Sequence, residues 1–451
     1  MRWVLGDVGR AVSGRVDGDP STVAAGVAID SRALTAGELF VAIRGSRDGH
    51  DFLQAAVTAG APAVMVERPA PPGVPAVVVD DTSAALLDLG RAARRRLDAV
   101  VVGVTGSVGK TSTKDLAAAA LAAGRRTVAS PRSFNNELGL PLTLANASED
   151  AEAVVVEMGA RSPGHIELLC GVARPSVGVV TAVAAAHTEM FGDLDGVERA
   201  KGELVEALPG DGLAVLNGDD RRVRRMAARG PARALLYSAA EPPAPGAEAW
   251  AEEVNLDGEL RPSFVAHTPW GRVAVKLGVR GRHQVGNALA ALVVAGHAGV
   301  PVEAAAEALD KAQLSPWRME LRRARSGAVV LNDAYNANPS SMAAALRALA
   351  DLPARRRVAL LGFMAELGER TAEEHRAVAS LARSLGIEVV PVGTDLYGRP
   401  PADPPDPGPL GPGVAVLVKG SRVAGLEQLV EQLVDRPAGG GEPGGGPAGE
   451  A

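Results

Sequence analysis

VVVGVTGSVGKTSTKDL, running from Val100 to Leu116, is the stretch on which the reading of this chain turns. The β-branched run Val100, Val101, Val102 and Val104 predicts a buried strand. It breaks at Gly106-Ser107-Val108-Gly109, and Lys110-Thr111-Ser112 then opens a helical pattern rich in Ala and Leu. Strand, glycine loop, Lys-Thr and helix are the parts of a phosphate-binding loop. Glycines let backbone N–H groups close around phosphate oxygens, and the helix N-terminus adds about half a positive charge. Lys110 is set to reach the outer phosphates of a nucleotide, and the Thr111 hydroxyl to ligate its Mg²⁺. The longer form of this loop has Gly at the position of Val104, so this is the shorter GxxGKT kind. An ordinary strand-to-helix turn would leave the Lys-Thr pair at the helix start without a purpose.

Around this stretch the chain is long. At 451 residues it exceeds what one core usually holds, so two or three domains are expected. Apolar content of 47% with 22% charged residues is that of a globular protein in water. A net charge of −6 argues against nucleic acid or an anionic membrane surface as the main partner. The single cysteine, Cys170, excludes an internal disulfide and a cysteine zinc cluster, and suits a reducing, cytoplasmic setting. MRWVLGDVGR does not read as a signal peptide, and no apolar run approaches the ~18 residues of a membrane span.

Residues 1–81 read as a small α/β unit whose polar turns hold Asp30-Ser31-Arg32 and Arg44 to His50. Arg32, Arg47 and His50, with the Ser31 hydroxyl, either face an anionic ligand or are solvated turn groups. Residues 82–98 read as a linking helix. From 99 to 314 strand and helix alternate, which predicts a mostly parallel sheet covered on both faces. The apolar strand Val154-Val155-Val156 delivers Glu157 to its carboxyl end, where ligands of open α/β sheets bind and an acid can hold Mg²⁺. PSVGVVTAV likewise runs toward His187. Lys201, in an amphipathic helix, and the Arg-rich RRVRRMAAR read most simply as solvated groups. Asn287, in the first turn of another helix, is either a cap or a reader of an adenine edge. Residues 315–435 predict a second doubly wound α/β domain, with NDAYNANP, GFMAELG and KGSR at strand ends. Residues 436–451 are low-complexity and expected to be disordered.

Those motifs, together with SFNNELGLPLT, VVEMGARSPGHI, AHTEMFG with AKGEL, and NDAYNANPSSM, resemble the Mur ligases over nearly the whole chain. Within the family they are similar to the branch that adds D-alanyl-D-alanine to UDP-N-acetylmuramoyl-tripeptide. The DNPR-like motif of the diamino-acid-adding branch is absent. The resemblance implies three domains: a UDP-binding α/β unit, a phosphate-loop ATPase-like parallel-sheet domain, and a C-terminal Rossmann-like domain. It implies that Ser31, Arg32, Asp48 and His50 hold the UDP moiety. Gly106 to Ser112, Asn287, Arg318 and Asp333 would bind ATP. Thr111, Glu157, His187 and Lys201 would hold Mg²⁺, two ions in all. Lys201 would act as a carbamate formed with CO₂, which reverses the solvated reading. Lys110, Lys201, His187 and Glu157 would carry the chemistry. Asn136 and Arg161 would contact the muramoyl-peptide, and Tyr335, Asn336, Asn338 and Lys419 the dipeptide and the reacting carboxylate. The expected partners are the two substrates, acting on a monomer.

Two positions depart from the family pattern: Phe363 stands where Asp is expected, and Gln284 where Asn is expected. The rival readings are the same chemistry with another amino acid or on a folate, as in folylpolyglutamate synthases. From a different class, the rival is an ATPase that drives conformational change or assembly. That last reading leaves the strand-end motifs of the third domain unexplained.

Overall fold

The computed structural model describes residues 1–184 and 188–436. His187 and the expected tail beyond 436 lie outside the described residues. The first strands are short: β1 (Trp3–Val4), β2 (Arg15–Asp17), β3 (Val23–Ala24), β4 (Val27–Ala28), β5 (Leu39–Val41), β6 (Val64–Val66) and β7 (Ala76–Val78). Five of them form a sheet in the order β2-β7-β6-β5-β4, parallel except for β2.

The helix Thr82–Arg96 follows, started by Asp81, whose carboxylate accepts from the N–H groups of Ser83 and Ala84. It does more than link. Leu86, Leu89 and Ala93 on its buried face share one apolar core with Leu39 and Met65 of the first sheet and with Val154 and Val156 of the second. Burial at about 1.5–3 kcal/mol per leucine makes this helix a layer common to both sheets.

The second sheet contains β8 (Val100–Thr105), β9 (Thr127–Ala129), β10 (Ala153–Glu157), β11 (Val177–Val180), β12 (Leu213–Asn217), β13 (Arg233–Ser238), β14 (Ala247–Leu256), β15 (Pro262–Thr268) and β16 (Gly271–Lys276). Their order is β16-β15-β14-β13-β12-β11-β8-β10-β9. Strands β9 to β14 and β8 run parallel, the mostly parallel sheet that the sequence predicts, and the β14-β15-β16 edge is antiparallel. The valines of β8 alternate between two cores, Val101 on one face and Val102 and Val104 on the other. A strand buried on both faces needs that unbroken apolar run.

The third sheet holds β17 (Glu320–Arg323), β18 (Val329–Asn332), β19 (Arg356–Leu361), β20 (Glu388–Pro391) and β21 (Val414–Lys419) in the order β17-β18-β21-β19-β20. It is parallel except for β17, an edge strand that ELRR gives no alternation to reveal.

The connection into the third sheet is anchored on the helix that follows the glycine loop. Asp115 accepts from the Ser315 N–H at 2.7 Å and pairs with Lys114 at 2.8 Å. Lys114, fully buried, donates to the carbonyls of Ser130 and Arg132 at 2.7 and 2.9 Å. One ion pair thus ties the interdomain connection to the loop that precedes Asn135 and Asn136. Among the described residues no helix is long and apolar enough to cross a membrane.

Candidate active site

Between the second and third sheets lies a cleft of about 680 Å³, lined by the phosphate loop, Glu157 and Lys201 on one side and by Asp333, Tyr335 and Lys419 on the other. The loop has the geometry its glycines allow. Gly106 and Gly109 sit at φ 144° and 83°, and a Cβ on Gly106 would lie 2.0 Å from Thr181 Oγ1. The Ser107 N–H donates to Ala182 O at 2.8 Å, and Lys110 Nζ folds back onto Gly106 O at 2.7 Å. Burial, offset in part by Glu157, holds the Lys110 ammonium below its usual range.

Glu157 ends β10 opposite Val104 of β8 and is buried. Asn135 Nδ2 donates to its Oε1 at 2.8 Å, while Oε2 has no hydrogen-bond partner among the described residues. An ionised carboxylate oxygen left bare in a cleft is costly unless a cation meets it. With the Thr111 hydroxyl it offers the hard oxygen donors that Mg²⁺ prefers, so the residues present fit that ion. Among the described residues no three His, Cys, Asp or Glu side chains converge as a ready metal cluster. His187 lies outside those residues.

Lys201 is not the solvated lysine that its helix suggests. It is 2% exposed and lines the cleft, and its ammonium has no hydrogen-bond partner among the described residues, facing the Phe191 ring at 5.9 Å. Burial, reinforced by the nearby Lys110 charge, lowers its pKa to about 7. The Arg-rich run, read as a solvated face, is instead a brace for the helix Leu194–Glu206 that carries Lys201. Arg222 and Arg225 pair with Glu198 at 2.7 and 2.6 Å. Arg229 donates to Glu198 O at 3.0 Å and crosses at Gly202, where a Cβ would meet its guanidinium at 2.1 Å.

The facing wall is held by Arg318, Asp333 and Lys419. Arg318 lies between Trp317 and Met319, both at positive φ (61° and 52°). Its Nη2 donates to Thr111 Oγ1 at 2.9 Å, and its guanidinium rests 4.2 Å from the centre of the Tyr335 ring. Lys419 is buried and engaged on its own wall, donating to Asp333 Oδ2 at 2.5 Å and to Asn336 O at 2.8 Å. Asp333 Oδ1 also accepts from the Met319 N–H at 3.2 Å. Asn338 caps the helix Pro339–Asp351, and its Nδ2 lies 3.5 Å from Ser107 O across the cleft.

The remaining expected residues fall into two groups. Asn287 lines the cleft behind Gly109, with Oδ1 accepting from Thr113 at 3.0 Å and Nδ2 donating to Gln284 at 2.8 Å. Gln284 thus serves as its inner support. Asn136 and Arg161 also line the cleft, although Asn136 Oδ1 is taken by the N–H groups of Leu138 and Gly139. Ser31, Arg32, Asp48 and His50 do not line it. Arg32 is chelated by Asp30, whose carboxyl it helps hold at about 2. His50 needs correction as a group facing a ligand. Its Nδ1 bonds Asp48 Oδ1 at 2.6 Å, its Nε2 accepts from Glu67 N–H at 2.9 Å, and its side chain is sealed from solvent. It fixes the turn.

Sequence reasoning missed Asn135, the orienter of Glu157, naming only its neighbour Asn136, as a contact of the muramoyl-peptide. It also missed His165, which bridges Glu137 at 3.0 Å and the Arg161 N–H at 3.3 Å on the cleft wall. Nothing in the local pattern separates Asn135 from Asn136; only the register of β10 does. Phe363 stacks on His375 at 5.4 Å, and the Tyr397 ring lies tilted 5.0 Å from His375, so the residue that replaces the expected Asp joins an aromatic cluster.

Three family descriptions match the chain: Mur ligase family, catalytic domain, over residues 24–94; Mur ligase middle domain over 104–295; and Mur ligase, glutamate ligase domain, over 317–433. The UDP-N-acetylmuramoyl-tripeptide–D-alanyl-D-alanine ligase of Mycobacterium tuberculosis (strain H37Rv) is 42% identical over 82% of this chain and 77% of its own length. That of Escherichia coli (strain K12) is 34% identical over 94% and 96%. Among solved structures, MurF of Acinetobacter baumannii superposes with a TM-score of 0.82 at 27% identity, covering 96% of this chain and 99% of its own. MurF ligase of Thermotoga maritima in complex with ADP gives 0.74 at 27% identity, covering 90% and 96%.

Proposed function

The chain belongs to the Mur ligase family, and from that premise we propose that its cleft joins D-alanyl-D-alanine to UDP-N-acetylmuramoyl-tripeptide through an acyl phosphate. It is an ATP-dependent, ADP-forming ligase that makes the UDP-muramoyl-pentapeptide precursor of peptidoglycan. The observation that carries this is the near full-length match to the Escherichia coli ligase of that activity.

A carboxylate is a poor electrophile, so it must be activated before an amine attacks. The terminal carboxylate of the tripeptide attacks the γ-phosphorus of ATP, and ADP leaves. Lys110 turns from Gly106 O to the phosphates, and the loop N–H groups and Arg318 share the charge on the transferring group. Thr111 and the bare Glu157 Oε2 would hold Mg²⁺, which when bound neutralises phosphate charge. The dipeptide amine then attacks the acyl carbon, and phosphate departs. The acyl phosphate hydrolyses in bulk water, so the Asn338–Ser107 approach between the walls serves to exclude it.

Lys201, held near pKa 7 by burial, is partly the neutral amine that CO₂ requires. Its carbamate would give the second metal a carboxylate, with His187 as a further ligand. Asn287 and Asp333 serve the nucleoside, and Asn136 and Arg161 the muramoyl-peptide. Tyr335, Asn336 and Asn338 lie toward the acceptor. Lys419 acts through Asp333 and Asn336. Ser31, Arg32 and Asp48, on the turn that His50 fixes, take the UDP moiety. The domains are read as 1–81, 82–98 (the shared helix), 99–314 and 315–435. The ligase is read as a cytoplasmic monomer, which size-exclusion chromatography checks for its oligomeric part.

The test is ADP release from ATP, UDP-muramoyl-tripeptide and D-alanyl-D-alanine, with each omitted in turn. Turnover should need all three. Equal turnover with a free diamino acid in place of the dipeptide would sink the assignment.

A further inference from the structure

D-Alanyl-D-alanine brings two apolar methyl groups and a carboxylate that takes no part in the reaction. Some cation must meet that carboxylate, and the third sheet's wall is where the acceptor lies. Lys419, the obvious lysine there, already donates to Asp333 and Asn336 and is 2% exposed. Arg318 lies on the phosphate side, its Nη2 on Thr111 and its guanidinium over the Tyr335 ring, with a buried Nε left without a partner among the described residues. Arg422 differs from both. One Nη donates to Glu427 Oε1 at 2.7 Å, and its guanidinium carbon lies over the Trp317 ring, 4.4 Å from the ring centre. It is held in place, yet its side chain is 52% exposed and borders the cleft. A planar fork fixed on one side with donors to spare is suited to a carboxylate.

Val423 is next to it, in the turn Arg422–Ala424. It is 80% exposed, more than any other large apolar residue among those described, and it too borders the cleft. An isolated exposed valine on an outer surface would mean nothing. In a cleft wall beside a poised guanidinium it offers a contact for a methyl group. The residue that leads into the turn is anchored to the neighbouring loop. Ser421 N–H donates to Phe363 O at 2.9 Å, and Ser421 Oγ accepts from Ala365 N–H at 2.9 Å.

Resting on the ligase reading above, we propose that Arg422 and Val423 form the specificity subsite for the dipeptide, Arg422 binding its free carboxylate and Val423 packing on a methyl group. The subsite explains why the acceptor is a free acid.

The experiment compares D-alanyl-D-alanine with its C-terminal amide as acceptors for the wild type, Arg422→Ala and Val423→Asp, at saturating ATP and UDP-muramoyl-tripeptide. In the wild type, kcat/KM for the acid should exceed that for the amide by about ten- to a hundredfold, the scale of one charge-assisted bond. In Arg422→Ala the KM for the dipeptide should rise by a similar factor, the KM for ATP should hold, and the acid-to-amide ratio should fall to near one. Val423→Asp should raise the dipeptide KM and keep the ATP KM. The ratio is internal to each protein, so a partly folded variant does not distort it. A variant at position 422 that still prefers the acid as the wild type does overturns the subsite and leaves the ligase reading intact. A wild type that uses neither acceptor overturns both.

Discussion

The two walls of the cleft handle charge in opposite ways. On the phosphate-loop wall, Glu157 keeps one carboxylate oxygen bare and Lys201 sits buried without a hydrogen-bond partner among the described residues. On the facing wall, Asp333 and Lys419 neutralise each other at 2.5 Å, and Asn338 spends its side chain on capping a helix. Buried charge costs free energy unless it is paired. The first wall therefore bears a cost that nucleotide phosphates, and the Mg²⁺ proposed above, would offset on binding. The second pairs its charges more fully, Asp333 with Lys419 and Arg422 with Glu427, although Arg318 Nε and Glu427 Oε2 are buried without a hydrogen-bond partner among the described residues. Most of the chemistry is proposed for the first wall, with Arg318 reaching across to Thr111 from the second, and positioning and selection for the second.

Breaking the first wall should cost activity more than stability. Lys110→Ala should lower kcat for ADP release by about a thousandfold, as loss of a charge-stabilising donor does. Its melting temperature should barely move, since Lys110 holds only Gly106 O. A variant that melts early instead would make Lys110 a structural group.

Lys201 gives a pH test with a definite sign. Its folded pKa is depressed to about 7 from 10.5, so between those values the unfolded chain holds more protons and stability should rise with pH. The rise, on the order of a few kcal/mol, should be absent in Lys201→Met when urea unfolding is followed in CO₂-free buffer. A wild-type profile no steeper than that of the variant would mean that the lysine is solvated after all.

Breaking the second wall should cost stability first. Asp333→Asn strands a buried ammonium and should lower unfolding free energy by about 3 kcal/mol. The double variant Asp333→Asn, Lys419→Met should recover part of the loss. Failure to recover would mean that Asp333 acts without Lys419. The smallest effect sharpens the contrast further. Asn338→Ala removes a helix cap worth about 1 kcal/mol, seen as a small shift in the urea midpoint.

The same contrast explains what the sequence disclosed. The strand, glycine loop and helix at Val100–Ala122, and Glu157 at the end of β10, follow from local period and composition, and the structure has them as expected. The pairing of Asp333 with Lys419 spans 86 positions, and no local pattern encodes it. The Arg221–Arg229 run looked solvated because its partners, Glu198 and Glu206, lie on a helix that only the fold brings near. Lys201 was misread as solvated from its own helix for the same reason, and only the family resemblance pointed to it as a group of the cleft. His50 looked like a ligand group because a turn histidine beside Asp and Arg gives no sign that both ring nitrogens are used.

In the proposed reaction the cleft activates the tripeptide's carboxylate by phosphorylation. The most direct measurement supplies UDP-muramoyl-tripeptide labelled with oxygen-18 in that carboxylate and follows the label through one turnover with ATP and D-alanyl-D-alanine. An acyl phosphate requires one labelled oxygen to leave in inorganic phosphate, with the other kept in the new amide carbonyl. Unlabelled phosphate alongside normal product would contradict the account, because the carboxylate would then never have attacked the γ-phosphorus.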